Sequence, residues 1–377
     1  TEAALRLGLD PVEVRRKNLL RTGDAMATGQ IVRDTVDLAA LMDRALAEID
    51  HAGRKGAHAA HNATPDPVKR GLGFAVFMHG GGFTGAGEGF LGSVAAVEGL
   101  EDGRVQVQVA STEIGQGATT VFTQIAAETL GVALEQVEVA RPDTGIVPNS
   151  GPTVASRTTQ VVGKLVQDAC MALRRTLHDS GDLTQGGDLA AAIRAFRARH
   201  GRLRTESRYQ KPPFVQWDDE AYRGDAYATY AWACYAADVR VDTLTYETTL
   251  ADFVAVQEIG RVVNPTLAAG QIEGGVAQGI GWAVSEEVVW YKGHMLNNQM
   301  TNYIMATAAD LPPIRVFFEE QPYPFGPGGA KGIGELPMDG PAPAILNAVQ
   351  DALGVVPREI PLTPERLLDE IEGVARG

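Results

Sequence analysis

Gly328-Gly329-Ala330-Lys331-Gly332-Ile333-Gly334-Glu335, followed by Leu336-Pro337, is the stretch on which the reading of this chain turns. Four glycines in eight residues let the backbone approach a bound group closely, or take conformations closed to other residues. A carboxylate at the end of such a loop can be held against a reaction centre, where burial tunes its basicity. Taken alone, the stretch also fits an ordinary surface turn with a solvated Glu. Tyr323-Pro324-Phe325-Gly326-Pro327 lies before it, and a helical pattern, Ala342–Leu353, lies after it.

Upstream, strand–loop–helix occurs twice in succession. Val105–Ala110, the loop Ser111–Gly117 and a helix from Ala118 to Leu130 form one unit. Val137–Ala140, a loop through Pro152 and a long helix to Leu177 form the next. Further strands are expected at Leu72–Met78, Gly92–Val97, Tyr230–Val241 and Thr248–Glu258, with Glu101-Asp102-Gly103 as a hairpin turn. Helices are expected at 34–49, 184–200, Pro265–Val289 and Pro364–Ala375. Residues 50–68 read as a linker, 201–225 as a polar connection, and the segment after Gly293 as loop-rich. The fold class is α+β, with mixed sheets and packed helices. Three units are expected: a helical lead-in over 1–67, an α/β subdomain over 68–225, and a second over 226–377 that carries the Glu335 loop.

The 377 residues suffice for a sizeable core. A net charge of −14 and the lack of a basic stripe argue against a nucleic-acid surface. No apolar run reaches the roughly 20 residues of a membrane span, so a soluble protein without a membrane span is expected. Cys170 and Cys234 are the only cysteines and read as buried small hydrophobes. Two thiols cannot hold an iron–sulfur cluster, and they fit a reducing cytoplasm. His51, His58 and His61 have no accompanying metal-ligand pattern.

Three more loops carry candidate chemistry. Ser111-Thr112-Glu113-Ile114-Gly115-Gln116-Gly117 joins a strand to a helix, where backbone N–H groups favour anions. No Lys follows its last Gly, so it is not a Walker A loop. It reads either as a structural turn or as a ligand loop in which Gln116 offers donors and an acceptor. Asn149–Thr159 crowds hydroxyls and Arg157 at a helix start, more than capping requires, which would suit a phosphate or polar heterocycle. Asn264-Pro265 leads to Gly270-Gln271-Ile272-Glu273-Gly274-Gly275 and Gln278, with the two glutamines seven apart on one face.

Together these motifs, STEIGQG, GPTVASRTTQ, NPTLAAGQIEGGVAQG and GGAKGIGELP, resemble, in the same order, the molybdopterin-binding subunit of the xanthine dehydrogenase/aldehyde oxidase hydroxylases. The resemblance runs from DPVEVRRKNLL to the last helices, nearly the whole chain. It implies a molybdopterin-binding fold of that type. It also implies hydroxylation with water-derived oxygen, with Glu335 as general base. It places Gly115, Gln116, Ala155, Ser156, Thr158 and Gln271 against a molybdenum–molybdopterin cofactor, with the cytosine dinucleotide as one form. Lys331 shares the active-site loop and is grouped with these contacts, without a specific role. No side chain is expected to ligate the metal directly. Phe77 and His79 fall roughly where the family places substrate-facing groups, although a plain strand end is the other reading. Arg157 departs from the small apolar residue usual in some relatives, so its surroundings are expected to differ.

The family's upstream loops, a glycine–phenylalanine motif and an arginine-containing loop, are not found before DPVEVRRKNLL. The chain also starts inside a helical pattern without an initiator Met. A C-terminal half of the molybdenum subunit is therefore expected, completed by an N-terminal half on a second polypeptide. Separate [2Fe-2S] and FAD subunits would take the electrons. A purine or another N-heteroaromatic is the first expected small-molecule substrate, and an aldehyde the alternative. A non-catalytic cofactor-binding or assembly subunit is the reading from a different class.

Overall fold

Tyr230–Asp242 reads almost without a polar break, as a strand covered on both faces must. The computed structural model describes residues 1–373 and shows what covers it. Numbering the main strands in chain order, β1 (Val68–Gly80), β2 (Val94–Gly99), β3 (Val105–Gln108), β4 (Val137–Val139), β5 (Leu203–Arg208), β6 (Tyr230–Asp242), β7 (Thr248–Glu258) and β8 (Ile314–Glu319) form two four-stranded sheets. The first has the order β1-β6-β7-β8, antiparallel except for the parallel β7/β8 pair. The second has the order β4-β3-β2-β5, antiparallel except for the parallel β3/β4 pair.

The main helices are α1 (Leu38–Glu48), α2 (His51–Asn62), α3 (Ala118–Leu130), α4 (Gly163–Asp179), α5 (Leu189–His200), α6 (Pro265–Val284) and α7 (Pro341–Leu353). Leu41, Met42, Ala45 and Ile49 bury one face of the first sheet against Phe74, Trp232, Cys234 and Val256. Ile272, Val276, Ile345 and Ala348 bury the opposite face against Ala233, Tyr235, Phe253 and Ala255. The α7 backbone comes so close to β1 that a Cβ at Gly73 would lie 2.2 Å from the Ala344 carbonyl oxygen. Against the second sheet, α3 and α4 pack Phe122, Ile125, Leu165, Val166 and Leu173 on Ala95, Val97 and Val107. This α+β architecture of mixed sheets and packed helices is the expected one. Both cysteines are buried and free.

Some local expectations need correction. Residues 51–62 are a helix, α2, not a linker: Asp50 turns the chain in a left-handed conformation and His51 stacks edge-on to Phe74. The polar connection contains β5, which pairs along β2, and the loop-rich tail contains β8. The helix expected to Val289 stops at Val284. The last helix is Pro364–Glu372, and the final residues of its expected span lie outside the described ones. β1 pairs along its whole length with β6, so the first sheet draws its strands from both sides of the 225/226 boundary.

Candidate active site

Parallel strand pairs leave loops at their carboxyl ends, where open α/β sheets place ligands. Here each sheet contributes one such pair. The loops after β3 and β4, the segment leading from β7 into α6, and the loop after β8 converge on a cavity of about 340 Å³. That volume is in the range of small-molecule sites. Gln116, Ala155, Ser156, Thr158, Gln271, Lys331 and Glu335 all line it. Gly115 stands beside Gln116 at φ +100°, in the left-handed region that glycine tolerates.

Two features of the Asn149–Thr159 loop mark it as constrained. Ala155 and Ser156 are consecutive non-glycine residues at positive φ, 55° and 51°. Such backbone costs energy and is kept where the surroundings over-determine it. Thr158–Val162 then opens α4 as a single π-helical turn, a form concentrated at functional sites. The surroundings that hold the loop are visible. The Ala155 carbonyl accepts from Gly82 N–H at 2.8 Å, and Thr153 Oγ1 accepts from Thr112 N–H at 2.8 Å. Ser150 Oγ accepts from Ala110 N–H and donates to the Val94 carbonyl. Fully buried Arg157 donates to both oxygens of Glu88, to Ser93 Oγ and to the carbonyls of Ser150 and Pro152. Arg157 is thus an internal pillar of the loop and not a phosphate ligand.

The Glu335 loop is fitted against it. A Cβ at Gly332 would fall 1.8 Å from the Ser156 carbonyl oxygen, so only glycine permits this approach. Gln160 Oε1 accepts from Gly332 N–H at 3.1 Å and its amide donates to the Gly81 carbonyl. Lys331 is 4% exposed, and its ammonium donates to Glu258 at 2.6 Å and to the Tyr230 carbonyl at 2.8 Å, with Asp34 at 3.3 Å. Burial raises the Glu258 pKa, and the Lys331 charge works against that rise. The Lys331 ammonium is therefore a buried strut of the loop, already saturated by protein partners.

Glu335 itself is half-exposed at the cavity wall. Its Oε2 accepts from His79 Nε2 at 3.1 Å and from Ser156 Oγ at 3.2 Å, while Oε1 has no partner among the described residues. His79 Nδ1 reaches Asp339 at 2.7 Å. That hydrogen bond to Asp339, with a lesser contribution from Glu335, raises the His79 pKa against the opposing effect of burial. The imidazolium form is thereby favoured between two carboxylates. Asp339 escaped the sequence reading, although it lies four residues after Glu335, a spacing that puts both on one helical face. Gln160 also escaped it. Phe77, two residues before His79 on the same strand face, packs edge-on to Tyr235 at 4.8 Å and touches the Gly340 position, so its ring belongs to the core and not to the cavity lining.

The loop after β3 holds a further correction. The N–H groups of Gly115, Gly117 and Thr119 are met by the Glu113 carboxylate at 2.9, 3.0 and 2.9 Å. Burial opposes ionisation of Glu113, and those backbone donors outweigh it, so its pKa is lowered. Gln116 is folded back on its own loop, accepting from Ile114 N–H and donating to the Thr112 carbonyl.

The walls suit a polar heterocycle. The N–H groups of Ala155, Ser156, Ile333 and Gly334, all in lining residues, have no partner among the described residues. With the amide of Gln271 and the hydroxyl of Thr158 they make a set of neutral donors fitted to ring nitrogens and carbonyls, in a cavity that Arg261 and Glu335 also line. Among the described residues, no group of His, Cys, Asp and Glu could hold a metal ion directly.

Comparison with known proteins gives the family of the chain. The family model described as the molybdopterin cofactor-binding domain matches residues 44–312, well over half of the chain. The chain is 32% identical to the putative xanthine dehydrogenase molybdenum-binding subunit of Escherichia coli K12, covering 98% of this chain and 50% of that protein. The aldehyde oxidoreductase of Desulfovibrio desulfuricans superposes with a TM-score of 0.85 at 30% identity, over 98% of this chain and 39% of that one. Quinoline 2-oxidoreductase from Pseudomonas putida 86 does so with a TM-score of 0.85 at 28% identity, over 98% and 50%. The chain spans about half the length, or less, of the proteins it matches. By its sequence match and its fold, it belongs to the molybdopterin cofactor-binding domain family.

Proposed function

We propose that this chain supplies one wall of the cofactor cavity and the proton-transfer carboxylate of a molybdenum-dependent hydroxylase. A purine or related N-heteroaromatic is the first substrate class and an aldehyde the second; relatives named for xanthine, quinoline and aldehyde oxidation support both. The observation that carries the reading is the asymmetry of Glu335, whose Oε2 is tethered by His79 and Ser156 while Oε1 is left without a partner. A tethered carboxylate keeps one lone-pair direction fixed for proton abstraction, which general-base work requires. Ser156, Gln160 and Gly332 hold the two loops in register around it. Gln271, Thr158 and the unpaired loop N–H groups would hold the pterin, and Gln116 would join them by exchanging its present loop contacts. When bound, the molybdenum cofactor supplies Lewis acidity and the two-electron redox change.

The same reading includes a second polypeptide completing the cavity. Ile114 and Val154, 77% and 51% exposed, are apolar lining residues that such a chain would cover. It also includes iron–sulfur and FAD partners that accept electrons, a cytoplasmic location, and the cytosine dinucleotide as one cofactor form. Among the described residues no helix is long and apolar enough to cross a membrane.

The test is Glu335→Gln in the native assembly, with molybdenum and pterin quantified beside turnover. Loss of turnover by about 100-fold or more with cofactor content unchanged is expected for removal of a general base. Full activity in that variant would sink the assignment.

A further inference from the structure

A second, strongly basic cavity of about 740 Å³ lies where α2 crosses the end of the first sheet, and it shares no lining residue with the cavity of Glu335. Arg70 on β1 and Arg240 on β6 are register partners that both line it. Like charges directly opposite on a ladder repel each other. Neither guanidinium has an acidic partner among the described residues; Arg240 is exposed at the mouth, while Arg70 Nε is buried without an acceptor. His58, 7% exposed, lines the same cavity with Nδ1 also buried and unpartnered. Buried polar atoms of this kind are normally satisfied, and two at one place call for a missing partner.

The nearby acids do not supply it. Asp238 pairs with Arg54 at 2.9 Å and stands 3.6 Å from His58 Nε2, on the far side of the ring from Nδ1, and Asp252 pairs with Arg54 at 2.8 Å and Arg315 at 2.6 Å. Glu48 stands 3.9 Å from Arg315 and is shared with Arg44. Four arginines against two aspartates leave the lining positive in a chain whose net charge is −14. Guanidinium pairs match oxyanions by forked hydrogen bonds.

We propose that this cavity binds a small dianionic oxyanion of the phosphate class, bridging the guanidinium groups of Arg70 and Arg240. The anion is either free orthophosphate or the phosphate of a small monoester, since both present the same oxygens. Bound there, it cancels the repulsion that the Arg70–Arg240 pair imposes.

Equilibrium dialysis of the native assembly with radiolabelled orthophosphate at fixed ionic strength tests this, with glycerol 3-phosphate in a parallel arm. One saturable site per chain is expected, weakened at least about tenfold in Arg70→Gln and in Arg240→Gln. Tighter binding of the ester identifies a phosphorylated ligand, and tighter orthophosphate identifies the free ion. In chloride buffer without phosphate, Arg240→Gln is expected to melt at or above the wild-type temperature, because the repulsion is relieved; this separates lost binding from misfolding. No saturable binding, or equal binding in wild type and both variants, overturns the proposal.

Discussion

Replacing Lys331 by methionine asks how the Glu335 loop is held. The Lys331–Glu258 pair is 2.6 Å long with both side chains no more than 2% exposed, so neither group has water to fall back on. Removing one partner of such a pair costs about 3–5 kcal/mol, because the other charge is left buried and uncompensated. That is a large part of the roughly 5–15 kcal/mol that holds a typical domain together. Glu258→Gln in the same background keeps an acceptor for Gly260 N–H and removes the stranded charge. The double variant is therefore expected to recover at least about 1–2 kcal/mol. The sign of the pH effect follows from Glu258, whose pKa is raised by burial and, in the single variant, no longer opposed by Lys331. The folded state then binds more protons than the unfolded state above the ordinary carboxyl range, so stability falls as pH rises. Urea denaturation of the single and double variants at several pH values measures all of this. A single-variant loss below about 1 kcal/mol, or a double variant no more stable than the single, refutes the strut argument.

Two further outcomes test the neighbourhood of Glu335. His79→Gln removes the tether that His79 Nε2 places on Glu335 Oε2, and kcat is expected to fall at least about tenfold with cofactor content unchanged. Because the His79 pKa is raised from 6.5, its stabilising effect is full below that value and fades as pH rises through the raised one. Thermal melts across pH are expected to show this dependence in wild type and to lose it in the variant; equal curves would contradict it. Gly332→Ala puts a methyl 1.8 Å from the Ser156 carbonyl oxygen, so the loops must part. Activity is expected to fall at least about tenfold while the cost in stability stays near 1–3 kcal/mol, and retained activity would show that the contact is dispensable.

The regions legible in the sequence were those in which one local rule dominated. Ala118–Leu130 is bounded by Gly117 and Gly131, both at positive φ, and its expected limits are the observed ones. The apolar run from Tyr230 to Ala237 likewise marks β6 as a strand. By contrast, α2 carries Gly53 and Gly56 and few apolar side chains, so its helix rests on packing against β1 that no local pattern displays. β8 was lost in its loops because its strand identity comes from pairing with β7. At the candidate site, glycine spacing pointed to the converging loops. It did not show where their side chains turn: Lys331 goes inward to Glu258, and Glu113 fills the ring of donors left open for an anion. The Lys331 choice depends on neighbours distant in the chain, Tyr230 and Glu258, whereas Glu113 is held by donors of its own loop.

The pairing of β1 with β6 also has a cost in time. Gly80 meets Tyr230, and every other β1 residue meets a partner farther along the chain. At ordinary synthesis rates of roughly 5–20 residues per second, β1 waits on the order of ten seconds before β6 emerges. Until then an edge rich in Leu72, Phe74, Val76 and Phe77 has no native strand beside it. A nascent chain of this design is exposed to wrong pairings early, and its yield in the cell is expected to depend on chaperones that cover that edge.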